Sequence, residues 1–184
     1  MNSFDNIKRI TSEKNIRLRS PLKKRTYDKL QLFIKEAEAV STETMVIKRQ
    51  NLETELKKLV NGRKAWVEQD IFPFDCCNTA EADIAVQKAD FGIAETGTVV
   101  VTSALFSEQL PSLLPMHHVA VVNESDILRD TEELFGKLGT AGIPHRISFI
   151  TGPSKTADIE LNLVKGVHGP GKLTIVIVEN DEKM

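Results

Sequence analysis

The sequence predicts an α/β protein in which helices pack against a mixed sheet. Strand-like and helical patterns alternate through the second half of the chain, at residues 118–122, 130–138, 147–151, 156–164 and 172–178. Before them, apolar residues 91–94 and 98–102 flank the turn Glu95-Thr96-Gly97, which is a hairpin signal. Because a hairpin adds an antiparallel pair to this alternation, the sheet is predicted to be mixed.

The first half of the chain follows the same two periodicities with shorter elements. Helices are predicted at residues 21–39, 51–60 and 79–89, and short strands at residues 45–47 and 65–67. Pro21 suits the first turn of the first helix, and Gly62 lies just past the end of the second. Asn78 or Thr79 is expected to cap the third helix, which has acidic residues early in its pattern.

The length and the charge distribution predict one domain preceded by a basic arm. The chain has 184 residues, 41% of them hydrophobic, and a formal net charge of −2. A basic arm is expected at residues 1–20 and a single domain at residues 21–184. The arm is interpreted as a solvated, partly frayed terminus; nucleic-acid binding is the weaker alternative, since aromatic residues for base stacking are scarce.

The cysteine pattern and the hydropathy exclude several classes of protein. Cys76 and Cys77 are adjacent and do not have the C-x2-C spacing of a zinc or redox site. No metal site, no iron–sulfur ligand set and no cofactor are therefore expected in this chain. The sequence shows no signal peptide and no apolar run of about 18 residues. We therefore expect no membrane span, and we expect a cytoplasmic location.

The segment FITGPSKTADIE poses the main functional question. A strand that leads through Gly152-Pro153-Ser154 into a predicted helix presents free N–H groups, which can bind an anion. Ser154, Lys155 and Thr156 add hydroxyl groups and a positive charge. Asp158 and Glu160 fall in or near the first turn, where they would repel a phosphate. Two interpretations stay open: one wall of a ligand site, or a capped turn that starts a helix.

The predicted hairpin is the second candidate site. Gly97 fits a turn position that requires a positive φ. Glu95, set among apolar residues, is a candidate general acid, base or carboxylate nucleophile. Thr96, Thr98 and Ser103 are candidate ligand-binding residues. The alternative is a structural turn in which Glu95 only accepts hydrogen bonds from its neighbours.

The histidines give weaker signals. His168 lies in the glycine-rich connection GVHGPGK and is a candidate for acid–base chemistry or anion binding, although a lone loop histidine is more often structural. His117 and His118 are neighbours at the start of a predicted strand, so their side chains point to opposite faces and form a poor metal pair.

Taken together, three stretches resemble the LUD-domain family of lactate-utilisation proteins. GIAETGTVVVTS, LLPMHHVAVV and FITGPSKTADIELNLVKGVHGPGKLTIVIVEN occur in this order, and the resemblance covers about residues 85–180. This chain has Lys155 where many relatives carry arginine, which keeps the charge and loses a bidentate contact. The chain is also short for the family.

The resemblance implies a fold and a function. The fold would be a Rossmann-like three-layer α/β/α sandwich similar to the glucosamine-phosphate isomerase, ribose-phosphate isomerase and CoA-transferase superfamily. The function would be that of a non-redox subunit or accessory protein in the oxidation of L-lactate to pyruvate, beside iron–sulfur partner proteins. Glu95 before Thr96-Gly97 loosely resembles the glutamate nucleophile of CoA-transferases with this fold, but a shared fold is weak support for a shared reaction.

A second function from another class is compatible with the same residues. A stand-alone enzyme or sensor would bind a small phosphorylated or carboxylated metabolite between the hairpin turn, the Gly152–Thr156 loop and His168. Whether the chain is an enzyme stays open. The convergence of these loops in space is the observation that would favour a common pocket.

Overall fold

The computed structural model describes residues 28–157, 163–165 and 169–179, and it shows an α/β fold. The helices are α1 (Lys29–Ala39), α2 (Leu52–Val60) and α3 (Thr131–Ala141). The strands are β1 (Glu43–Lys48), β2 (Ala65–Val67), β3 (Ile84–Lys88), β4 (Phe91–Ile93), β5 (Thr98–Ser103), β6 (His117–Asn123), β7 (Ile127–Leu128), β8 (Arg146–Ile150), β9 (Lys155–Ala157), β10 (Leu163–Lys165) and β11 (Lys172–Glu179). None of the helices in these ranges is long and apolar enough to cross a membrane.

A five-stranded parallel sheet forms the centre of the fold. Its strand order is β1-β11-β6-β3-β2, and every neighbouring pair runs parallel. Strands β6 and β11 are buried on both faces, which explains their nearly continuous apolar sequences. All five strands therefore begin at one edge of the sheet and end at the other.

The hairpin belongs to a second, smaller sheet. Strands β4 and β5 pair antiparallel as the sequence predicts, and the sheet order is β7-β4-β5-β8. Strands β9 and β10 form a separate two-stranded antiparallel ribbon. The predicted single mixed sheet is thus divided into two: the parallel strands form one sheet, and the hairpin strands belong to the other.

Three apolar clusters hold the layers together. Helix α2 packs Leu56 and Val60 against one face of the parallel sheet. The opposite face meets Phe33 of α1 and Val99 of β5, so this core lies between the two sheets. Helix α3 covers the outer face of the smaller sheet through buried leucine residues. The loops at the two edges of the parallel sheet are left to carry polar groups.

The predicted helix at residues 79–89 is wrong. A single 3-10 turn, Thr79–Glu81, follows Asn78, whose side chain accepts a hydrogen bond from Ala80 N. Residues Ile84–Lys88 then form β3 between β2 and β6 in the parallel sheet. A short apolar run fits either a buried helix or a buried strand, and here pairing on both sides selects the strand.

The predicted helix at residues 156–164 is also wrong where the structure describes it. Both ends of that stretch are strands of the β9–β10 ribbon, and residues 158–162, with Asp158 and Glu160, lie outside the described residues. Gly152-Pro153-Ser154 therefore leads into a strand. The argument from free N–H groups at a helix start does not apply to this loop.

The other predicted elements are confirmed with shifted ends. The first described helix begins at Lys29 after Asp28, whose carboxylate accepts from Leu30 N, so it is not continuous from Pro21. Residues 1–27, which include the basic arm, lie outside the described residues. Helix α3 continues past Gly139 and ends at Ala141; the next residue, Gly142, caps it with a φ of 100°.

Candidate functional site

A chain of three threonine hydroxyl groups links the hairpin to the end of β8. The Oγ1 atoms of Thr96 and Thr98 lie 2.7 Å apart, and those of Thr98 and Thr151 lie 2.6 Å apart. Thr98 is buried, whereas the other two residues are exposed. The three hydroxyl groups carry three protons, and the two hydrogen bonds between them use two. The third proton can be donated to an acceptor at Thr96 or at Thr151.

Gly97 allows helix α1 to pack directly on the hairpin turn. Its φ is 62°, as the turn requires, and an added Cβ would overlap the backbone of Ala37. The C-terminal turn of α1 therefore lies against the turn of the hairpin. The positive φ predicted for Gly97 is confirmed, and the close neighbour is protein backbone.

Gly152 and Lys155 hold the residues that follow the same helix. Gly152 has a φ of 82°, and a Cβ there would lie 2.9 Å from Val40 O. Lys155 Nζ donates to Val40 O at 3.1 Å and to Ser41 Oγ at 3.0 Å. A cation next to the last carbonyl groups of a helix is favourable, because those groups carry partial negative charge. Lys155 thus stabilises the end of α1 from a distant part of the chain.

The loops before β9 and β11 are also in contact. Ser154 N donates to Pro170 O at 2.8 Å, and a Cβ on Gly169 would lie 3.4 Å from Ser154 Cβ. Together with the Thr98–Thr151 bond, this brings the hairpin turn, residues 151–155 and residues 169–170 to one place. These loops therefore converge within the described residues, and residues 37–41 pack among them.

The other candidate residues do not extend this group. Glu95 is exposed, in contrast to the apolar setting suggested by its neighbours, and its backbone N–H bonds to Arg129 O. Ser103 lies at the other end of β5, about 17 Å from Thr98 at ~3.4 Å per residue. His168 and the side chain of Thr156 lie outside the described part of the chain. The structure thus assembles Thr96, Gly97, Thr98, Gly152, Ser154 and Lys155 and separates Ser103 from them.

The assembled loops form a site with one positive charge and several hydroxyl groups. Lys155 is exposed, and its two acceptors among the described residues are uncharged oxygens. An ammonium group has three donors, so one remains for a ligand. The series of hydroxyl groups ends at Thr151, directly before the loop that carries Lys155. This arrangement can bind a small anion, whereas a metal needs a different set: the described residues contain no group of three or more His, Cys, Asp or Glu placed to hold one.

Sequence reasoning missed a hydrogen-bonded network at the edge where the parallel strands begin. His117 Nε2 lies 2.9 Å from Thr174 Oγ1, and His117 Nδ1 lies 2.9 Å from Arg63 Nη1. Thr174 donates to Glu43 Oε2 at 3.2 Å, and Lys172 forms a 2.9 Å ion pair with the same carboxylate. The first residues of three strands are joined in this way. The signal in the sequence was the polar residue at the start of each apolar run.

Burial sets the protonation of the two neighbouring histidines. Burial, with the positive charges of Lys172 and Arg63, lowers the pKa of His117 to about 4. Burial and the proximity of His117 lower the pKa of His118 to about 3. Both rings are therefore neutral at pH 7. They point to opposite faces of the sheet as predicted, and the hydrogen-bonded network reaches only His117.

Two other unusual side chains stabilise the fold. Burial, together with the negative charges of Asp70 and Asp90, raises the pKa of Glu68, whose carboxylate accepts from Lys88 N at 2.7 Å. Cys76 Sγ lies 3.1 Å from both Val67 N and Val67 O. The carboxylate and the thiol each bind backbone groups of neighbouring strands, which accounts for their positions without a ligand.

Sequence comparisons with known proteins agree on one family. A model of the LUD domain matches residues 78–178. Lactate utilization protein C of Halalkalibacterium halodurans is 41% identical over 105 residues, which cover 54% of this chain and 46% of that protein. Lactate utilization protein C of Anoxybacillus flavithermus is 39% identical over 97 residues, covering 53% and 44% of the two chains. The matched region thus spans about half the length of these relatives.

Two further similarities extend the comparison. The uncharacterized protein YkgG of Escherichia coli is 41% identical over 105 residues, covering 54% of this chain and 46% of that protein. The crystal structure of a DUF162 family protein from Deinococcus radiodurans superposes with a TM-score of 0.62 at 19% identity, covering 86% of this chain and 99% of that chain. At this identity the structural match shows the fold alone.

Proposed function

The chain belongs to the LUD-domain family, and from this premise we propose that it is a non-redox subunit of a system that oxidises L-lactate to pyruvate. The observation that carries the proposal is the family match over residues 78–178, with relatives named lactate utilization protein C. In this proposal, separate iron–sulfur partner proteins carry out the electron transfer. The bonding of Cys76 to the β2 backbone supports this division of roles, because that thiol is already used structurally.

The relationship to the superfamily of sugar-phosphate isomerases and CoA-transferases is part of the same proposal. It is supported by the parallel sheet, which has α2 on one face and α1, together with the smaller sheet, on the other. No reaction follows from this relationship. Glu95 stays a candidate residue whose exposed side chain gives it no special environment.

Genetics and co-purification test the lactate proposal together. Deletion of the gene should slow growth on L-lactate and leave growth on pyruvate unchanged, and the full chain supplied in trans should restore growth. A tagged chain should retain iron–sulfur proteins during purification. Normal growth of the deletion strain on L-lactate, with no iron–sulfur protein retained, would overturn the proposal.

The second candidate function is the binding of a small anionic metabolite at the assembled loops. Lys155 supports it, because its ammonium group is held by two uncharged oxygens and carries no paired carboxylate among the described residues. A single positive charge beside hydroxyl donors suits a monocarboxylate better than a doubly charged phosphate. The one free proton of the three hydroxyl groups, at Thr96 or at Thr151, provides a further hydrogen bond.

Thermal-shift measurements with L-lactate, pyruvate and inorganic phosphate test this second function. A monocarboxylate should raise the melting temperature of the native chain, and Lys155→Met should abolish that rise. Lys35→Met is the matched control, because Lys35 is an exposed lysine of α1 with a weak ion pair to Glu36. If none of the three anions stabilises the native chain, or if both variants respond like it, the loops bind no such anion.

A further inference from the structure

Residues 104–116 connect β5 to β6, and we call them the cover segment. In this segment several apolar side chains are exposed and two polar side chains are buried. Leu105 and Phe106 expose 60% and 57% of their surface, and Met116 exposes 58%. The polar residues Gln109 and Ser112, in contrast, are buried. Water favours the opposite arrangement, so the buried polar side chains of the cover segment need hydrogen-bond partners below it.

Three strands supply that polar interior. Gln87 of β3, Ser103 of β5 and His118 of β6 are all buried. Each lies two residues from a member of the core between the two sheets, so strand alternation directs all three side chains to that layer. In the β3–β6 register, His118 is opposite Ala85, which makes Gln87 its diagonal neighbour on the same face.

These side chains retain unused hydrogen-bonding capacity. Both ring nitrogens of His118, Gln87 Oε1 and Ser103 Oγ have no hydrogen-bond partner within the described ranges. Gln87 Nε2 donates to Glu108 O at 2.7 Å, which connects this layer to the cover segment. Leaving a buried polar group unpaired costs about 1–3 kcal/mol, so these three residues, whose side chains are directed into the same layer, require an explanation.

We propose that Gln87, Ser103 and His118 form a binding site for a small neutral molecule with an amide or hydroxyl group, enclosed by the cover segment. A neutral imidazole has one donor and one acceptor, the amide oxygen accepts, and the hydroxyl does both. An amide ligand complements all three. The proposal is independent of the lactate role and of the loops around Lys155.

The absence of charged side chains among these buried residues disfavours the binding of an ion. The buried polar residues of the described chain include no Asp, Glu, Lys or Arg. Lactate and other anions would therefore lose their hydration without gaining a counter-ion, which is unfavourable. The lowered pKa of His118 agrees with this, because the ring stays neutral under ordinary conditions. This site is thus chemically distinct from the cationic site at Lys155.

The cover segment has weak attachments that permit entry. Its 3-10 helix, Phe106–Ser112, contains Pro111, and 3-10 hydrogen bonds have poor geometry. Gln109 Nε2 donates to Ser148 Oγ at 2.7 Å, and Gln87 Nε2 holds Glu108 O. Breaking these two side-chain bonds would loosen the 3-10 helix, while the bonds from Arg146 Nη1 to Ala104 O and from Lys172 N to Met116 O still hold the two ends of the segment. Access to the site is thereby linked with movement of an exposed apolar surface.

NMR of the full chain labelled with ¹⁵N-histidine tests the proposal with acetamide as the probe. Acetamide should shift the ring signals of His118 in a saturable manner and leave those of His117 unchanged, since His117 lies on the other face of the sheet. Sodium acetate is the charged control and should cause no such shift. Unchanged His118 signals at high acetamide, with water cross-peaks to the ring, would show an ordered water only and overturn the proposal.

Variants separate binding from folding. Ser103→Ala should weaken acetamide binding at least about tenfold, the effect of one lost hydrogen bond, while the His118 signals of the free protein stay native. Thr140→Ala, on the exposed side of α3, should bind acetamide like the native chain. If Ser103→Ala proves unstable, the acetamide titration of the native chain still decides. Equal binding by both variants would exclude Ser103 from the site and contradict the proposal.

Discussion

Arg63 Nη1 lies 2.9 Å from Nδ1 of His117, and this contact determines the direction of a whole series of hydrogen bonds. A guanidinium group only donates, so Nδ1 has to accept and the ring proton has to be on Nε2. Nε2 then donates to Thr174 Oγ1, whose own proton goes to Glu43 Oε2. One cation thus fixes the tautomer of a buried histidine and the orientation of a hydroxyl group.

We expect His117 to be the neutral Nε2–H tautomer at pH 7. The chemical shifts of its two ring nitrogens in ¹⁵N-labelled protein report this directly. Arg63→Met should remove the donor at Nδ1 and allow the other tautomer to appear, whereas Lys64→Met should change nothing. An Nδ1–H tautomer in the native chain would contradict the donor assignment.

We expect stability to fall as the pH drops below about 6.5. The pKa of His117 is about 4 and that of His118 about 3 in the folded chain, against 6.5 for an unperturbed histidine. Between these values the unfolded chain binds more protons, so protonation favours unfolding. Each buried histidine then removes about 1.4 kcal/mol per pH unit, so the two together remove about 5 kcal/mol between pH 6 and pH 4.

Urea denaturation at several pH values measures this slope. His117→Gln should roughly halve the slope between pH 6 and pH 4, and Thr140→Ala should leave it unchanged because Thr140 is exposed and does not titrate. Glu43 adds loss in the same direction at lower pH, since its hydrogen bond with Lys172 lowers its pKa. Stability that is independent of pH between 6.5 and 4.5 would contradict the buried, neutral state of both histidines.

The sequence predicted most strands because their period and composition match their burial. It failed at residues 79–89 and 156–164, and the reasons are physical. Ile84–Lys88 is a short apolar run whose strand conformation depends on pairing with β2 and β6, and local periodicity does not show that pairing. At residues 155–157 the pairing with Leu163–Lys165 overrides a local pattern of helical type.

The candidate loops were predictable as a group, but their neighbours were not. Glycine and threonine residues mark the turns at Gly97 and Gly152, and the structure brings these turns together. Nothing in the local sequence shows that the end of α1 packs between them, because Ala37 and Val40 carry no polar signal. The unpaired state of His118 likewise depends on three strands at once and cannot be read from its neighbours.

Replacement of Gly97 by alanine should be strongly destabilising. The new Cβ would meet the Ala37 backbone and would also require a left-handed conformation. Gly62→Ala is a matched control, with a φ of 72° and no atom within 4 Å of the new Cβ. We expect Gly97→Ala to lower the free energy of unfolding by about 2 kcal/mol more than the control. Equal losses in urea denaturation would show that α1 does not pack on the turn.

Removal of the central hydroxyl group of the threonine chain should have a modest cost. Thr98→Val keeps the shape of a buried residue and breaks both short hydrogen bonds. Since Thr96 and Thr151 are exposed and can bond to water, we expect a loss of about 1 kcal/mol. Hydrogen exchange at the β5–β8 backbone should remain slow, because its ladder is intact. A loss above about 3 kcal/mol would point to a larger structural role for the three linked threonine hydroxyl groups.

The pairing of β1 with β11 has a consequence for the order in which the protein is made. β1 ends at Lys48, and its neighbour in the parallel sheet begins only at Lys172. At ~5–20 residues per second, a ribosome needs roughly 6–25 s to synthesise the intervening chain. Throughout that interval the nascent β1 displays Val46 and Ile47 with no strand beside them. Completion of the parallel sheet must therefore follow translation of the last described strand.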